Sequence, residues 1–150
     1  MSRNRSYRRN WVMPSAHIRF AGDDLDPNEV TRLLALEPDG MGWRGDSHSY
    51  HKTFGRMPTS CPRPTSYWVL SSYDEVDSIY LQLHIEWVLS QLEPIANRVR
   101  LLARRPNVTA TIGTALHGRY DLFPRVPEEL YDRSESLGLE LKIDWTVFYR

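Results

Sequence analysis

The chain has a single cysteine, Cys61, in 150 residues. An internal disulfide framework is therefore excluded, and a reducing compartment, the cytoplasm, is the expectation. No apolar run approaches the ~20 residues that a membrane span needs, so no membrane partner is expected. The arginine-rich start is followed only by Trp11-Val12-Met13 and then Pro14. That is too short for the hydrophobic region of a secretory leader. The G-x-G-x-x-G, P-loop, G-x-S-x-G and zincin motifs are all missing. Cys61 precedes a proline and has no catalytic-cysteine context. No cofactor is implied, and the sequence leans away from an enzyme. Acids are plentiful, so a paired-carboxylate site, or a constellation around His17, Asp46 or His51, stays open until geometry is known.

Lysine is scarce too, two residues against seventeen arginines. The guanidinium fork suits phosphate, but coding bias in a GC-rich genome produces the same ratio. Net charge is zero, yet it comes in blocks. Residues 1–22 carry five arginines and no acid; residues 23–39 carry six acids and one arginine. Residues 40–66 and 98–119 are net positive, and 67–97 and 120–150 net negative. Such blocks steer charged partners, or they are solvated faces that compensate one another. The length fits one domain with a core large enough to need no staples. We divide it into a basic, disordered tail over 1–13 and one domain over 14–150.

Ser15 to Gly22 alternates as a strand, with Ile18 and Phe20 on one side and His17 and Arg19 on the other. Asp26 then caps a helix whose first position is Pro27, and Glu29 sits where a capping box places its acid. Val30, Leu33 and Leu34 form its buried stripe, and Pro38 ends the segment. Tyr67 to Ser72 is an apolar strand. A long helix starts at Asp77 or Ser78 and buries Leu81, Ile85, Val88, Leu92, Ile95, Val99 and Leu102. His84 and Glu86 fall outside that stripe and are expected at the surface. Pro94 kinks this helix or starts a second segment. Val108 to Ala115 is a strand, with His117-Gly118 placed to turn it into a short partner through Tyr120-Leu122. Pro127 opens a short helix that Gly138 stops. The segment from Leu139 to Val147 alternates as one closing strand.

The runs LDPNEVTRLLALEPD and WRGD resemble the start of a bacterial family known as domain-of-unknown-function family 4279. The matching pieces are Asp26-Pro27, Val30-Thr31, Leu33-Leu34, Pro38, Trp43-Arg44-Gly45-Asp46, Trp68 and the tail LGLELKIDW. The resemblance covers roughly residues 16–148. It implies a leading strand, an Asp-Pro helix, a Trp-x-Gly-Asp-like loop, a tryptophan-bearing strand, a long helix and a closing helix–strand pair. It carries no catalytic assignment.

Residues 40–66 read as a long loop with room for a short hairpin. Loops of this length are functional or disordered. Trp43, Arg44, Asp46, Tyr50 and Arg56 are the binding candidates, because aromatic and arginine side chains dominate binding hot spots. In the alternative, Trp43 folds back on the sheet while Arg44 and Asp46 pair at the surface. His48 and His51 have the spacing of two metal ligands, with Cys61 as a third, but no second ligand pair supports a zinc site. No metal is assigned.

Together these elements predict an α+β fold. Its sheet has four or five largely antiparallel strands with helices on one face, a ferredoxin-like layer sandwich with a long loop insertion. The expected function is a non-enzymatic binding protein, regulatory or immunity-type (toxin-neutralising), in a bacterium. It would hold a protein partner through the 40–66 loop or the open sheet face. Two alternatives are kept: a nucleic-acid or nucleotide binder using the basic tail, Trp43, Tyr50 and Arg56, and an enzyme of unknown reaction. A homodimer is also open.

Overall fold

The computed structural model describes residues 14–48, 61–118 and 125–147. The basic tail lies outside them. In chain order the elements are β1 (Ser15–Gly22), α1 (Pro27–Leu34), β2 (Gly40–Gly42), β3 (Ser47–His48), β4 (Cys61–Pro62), β5 (Ser66–Ser71), α2 (Leu81–Leu92), a 3-10 turn (Glu93–Ile95), α3 (Ala96–Ala103), β6 (Thr109–Gly118), α4 (Glu128–Ser136), β7 (Glu140–Lys142) and β8 (Trp145–Val147). The fold is α+β, as predicted.

β1 is central, antiparallel to β5 on one side and to β6 on the other. β2 extends the sheet beyond β5, and β7 and β8 run parallel to β6 on the far edge. The order is β2-β5-β1-β6-β7. β5, the α2–α3 pair and β6 make a split β-α-β unit with β1 in its gap, the unit from which ferredoxin-like layers are built. β6, α4 and β7 add an unsplit parallel crossover. β3 and β4 form the short hairpin within the predicted loop.

Alternation decides which face the helices cover. Ile18 pairs with Leu70 and Ile112, and Phe20 with Trp68, in adjacent strands. These residues share one core with Ile85, Val88, Leu89, Leu92, Val99 and Leu102 of the helices. Trp68 is fully buried, tilted against Phe20 at 5.9 Å. Its Nε1 donates to Thr31 Oγ1 at 3.0 Å, which ties β5 to α1.

The Asp26 cap forms: its Oδ1 accepts from the Asn28 N–H at 3.0 Å. Glu29 does not close a capping box by reaching back. It binds Arg105 at 2.8 Å instead, joining α1 to the end of α3. That hydrogen bond holds the Glu29 carboxyl below its ordinary range. The helix ends on Ala35 in the left-handed region, at φ 54°. Pro94 divides the long helix as expected, α2 stopping at Leu92 and α3 starting at Ala96.

Four further expectations need correction. α2 begins at Leu81, because Ser78 turns the chain just before it: its Oγ accepts from the Tyr80 N–H at 3.0 Å. His84 is not at the surface but fully buried. Its Nε2 donates to the Ser78 carbonyl at 2.8 Å, and its Nδ1 shares a hydrogen bond with the Ser72 hydroxyl, also at 2.8 Å. Ser72 Oγ in turn accepts from the Ala16 N–H at 2.9 Å. β6 does not turn at His117-Gly118, because pairing with β8 carries it through Gly118; the partner expected over 120–122 lies outside the described residues. Finally, the closing strand is interrupted at Ile143-Asp144. The buried Thr114 hydroxyl enters the ladder there, accepting from the Asp144 N–H at 2.9 Å and donating to the Lys142 carbonyl at 3.2 Å.

Candidate functional site

The residues that alternate with the core lie on the other face of the sheet, and none of them belongs to the core cluster. Strand register arranges them in rows. One row runs Gly40, Val69, Arg19, Thr111 and Glu140; the next runs Ser71, His17, Gly113 and Lys142. Arg19, Glu140 and Lys142 are exposed, and His17, Tyr67, Val69 and Thr111 are half-buried. This is a solvated, mixed face carried on a rigid sheet.

The His17 ring closes over its cross-strand neighbour, Gly113. A Cβ on Gly113 would come within 2.6 Å of His17 Nε2, so a larger residue there would push the ring aside. Partial burial lowers the His17 pKa, and the charge of Arg19 lowers it further; Asp144 pulls the other way.

At the β2 edge the sheet meets the Trp43–Asp46 turn. The Trp43 N–H donates to Asp46 Oδ2 at 3.2 Å, and the Asp46 N–H donates to the Trp43 carbonyl at 3.1 Å. Gly45 supplies the required positive φ of 86°. The turn is also stitched to the strand that returns toward β5. Gly45 N–H donates to the Arg63 carbonyl at 2.9 Å, and Arg63 N–H donates to the Asp46 carbonyl at 2.8 Å. Arg44 N–H donates to Ser66 Oγ at 2.8 Å.

This stitching fixes where Arg63 emerges. Its guanidinium lies 4.7 Å from the centre of the Tyr67 ring, and that of Arg19 lies 5.9 Å from the same ring. A Cβ on Gly42 would come within 2.9 Å of both Arg63 Nε and Tyr67 Cε1. Glycine at 42 is thus what lets the arginine settle on the tyrosine. Among the described residues no carboxylate forms an ion pair with Arg19 or Arg63.

The structure brings Trp43, Arg44 and Asp46 together in one turn. The Trp43 side chain is exposed. The guanidinium of Arg44 approaches Asp23 at 3.7 Å, and the Asp46 carboxylate accepts from the turn's own backbone. Tyr50, Arg56 and His51 lie outside the described residues. The backbone of His48 sits in β3, opposite Cys61. Sequence reasoning missed the grouping of Arg19, Arg63 and Tyr67. The alternation of β1 did place Arg19 on this face, but the contact with Tyr67 depends on register and on Gly42, neither of which one strand reveals.

No helix among the described residues is long and apolar enough to cross a membrane. No curated protein and no solved structure matches the chain. A family profile does match, described as "Domain of unknown function (DUF4279)", over residues 10–148. That span takes in the Asp-Pro helix, the Trp-Arg-Gly-Asp turn and both faces of the sheet, and the chain therefore belongs to the DUF4279 family.

Proposed function

We propose that this protein is a non-enzymatic binding module that holds a protein partner on the open sheet face and the Trp43–Asp46 turn at its edge. One observation carries the reading. A sheet face that no described helix covers carries two arginines about one tyrosine ring, and the hydrogen-bonded turn at its edge presents an exposed tryptophan. Aromatic and arginine side chains on a rigid scaffold are what binding hot spots are made of. A regulatory or immunity-type role in a bacterium fits such a module. The lone cysteine supports a reducing, cytoplasmic setting.

The nucleic-acid or nucleotide alternative draws on the basic tail, Tyr50 and Arg56, which lie outside the described residues. The described face and its rim carry Arg19, Arg44, Arg63 and Lys142 against Asp23, Asp46, Glu140 and Asp144. A polyanion gains little from a surface so balanced, because its affinity rests on many phosphate contacts.

The test is capture from a lysate of the source cell with tagged full-length chain, beside Trp43→Ala. Asp46 is left intact because its side chain holds the turn. The expected result is one protein partner retained by the wild-type chain, with or without nuclease, and lost by a variant of unchanged melting temperature. Undiminished capture by Trp43→Ala removes the turn from the interface.

A further inference from the structure

We infer that Arg19 and Arg63, gathered on the Tyr67 ring, form a carboxylate-docking site for an acidic segment of the partner. The inference rests on the binding-module reading and names the chemistry that reading leaves open. Both guanidinium groups lie within reach of one aromatic ring, at 5.9 and 4.7 Å from its centre, and the ring quadrupole attracts each of them. The other side-chain cations of the face and rim are already occupied: Arg44 has Asp23 at 3.7 Å, and Lys142 has Glu140 at 3.7 Å. Among the described residues, Arg19 and Arg63 have no such acid. Their planar forks match the two oxygens of a carboxylate.

Arg63 is also held in place. Its N–H and carbonyl are both tied to the Trp43–Asp46 turn, and its side chain lies in the space left by Gly42. Less side-chain freedom remains to be lost when an anion binds. The balanced charge around the pair favours one or two carboxylates among apolar neighbours over a run of phosphates. Val69, half-buried on the row of Arg19, and the exposed Trp43 supply apolar surface for the rest of such a segment.

The test is an NMR titration of the isotope-labelled full chain with a capped hexaglutamate peptide, beside a hexaglutamine peptide, inorganic phosphate and an oligothymidylate. Expected are hexaglutamate shifts centred on Arg19, Arg63 and Tyr67, and no comparable shifts from hexaglutamine. The Arg19→Gln/Arg63→Gln double variant should bind hexaglutamate roughly tenfold more weakly or worse while melting within a few degrees of wild type. Shifts elsewhere, or undiminished affinity in the double variant, overturn the site. Tighter binding of phosphate or oligothymidylate at the same residues overturns the carboxylate assignment. If Trp43→Ala loses partner capture while the double variant keeps it, the module stands and this site falls. If both variants keep it, both readings fall.

Discussion

The two faces of the sheet are built from the same strands and almost nothing else is shared. On the helix-covered face, Ile18, Phe20, Trp68, Leu70 and Ile112 are buried together. On the other, one residue along each strand, His17, Arg19, Tyr67 and Val69 stay half-buried or exposed. The first set is chosen by apolar area removed from water. The second includes two cations that no described acid pairs and glycines at two places where a side chain from the neighbouring chain segment closes over the backbone. A period of two thus lets one short segment bury one set of side chains while leaving the other open to the proposed partner. The difference is measurable: core-face changes should move the melting temperature, and open-face changes should move binding.

The largest effect is expected at the centre of the covered face. Trp68→Ala removes a fully buried indole and its bond to Thr31, and large-to-small changes of this kind cost about 3–5 kcal/mol. Urea unfolding of the variant should show a loss in that range; a loss under 1 kcal/mol would mean the two faces are not so different. Next comes Ser72→Ala. It takes the acceptor from the Ala16 N–H and the hydrogen-bond partner from His84 Nδ1, both buried, at a cost of about 1–3 kcal/mol. The same unfolding measurement checks it.

The smallest effect belongs to the open face and depends on pH. The His17 pKa is lowered in the folded state, by desolvation first and Arg19 second. The unfolded chain therefore takes up its proton first as pH falls through the usual histidine value of 6.5. Stability is expected to decrease with falling pH from about 6.5 down to the folded-state value and to level off below it. His17→Gln should flatten that part of the stability curve. A slope of the opposite sign, or one unchanged in His17→Gln, would show that His17 is not the group responsible.

Much of the covered face was legible in the sequence. β1, the Asp26-Pro27 start of α1, the stripe from Leu81 to Leu102 and the break at Pro94 all follow from periodicity and from proline's missing donor. His84 was not legible, since its burial depends on Ser72 and Ser78, which reach it only after the 73–80 segment folds back. The break in the closing strand was hidden for a similar reason. A hydroxyl on another strand, Thr114, takes over two of its backbone bonds. At the candidate site the Trp43–Asp46 turn could be singled out by residue type, but its effect could not. Its hydrogen bonds to residue 63 are what place the second arginine on Tyr67.

The most direct test of the separation is thermal unfolding of the Trp43→Ala/Arg19→Gln/Arg63→Gln triple variant beside Trp68→Ala. Surface changes and a lost cation–π contact amount to about 1 kcal/mol, so the triple variant should melt within about 5 °C of wild type while Trp68→Ala falls by roughly 8 °C or more. A triple variant that melts as low as Trp68→Ala would contradict the account, because the open face would then be part of what holds the fold together.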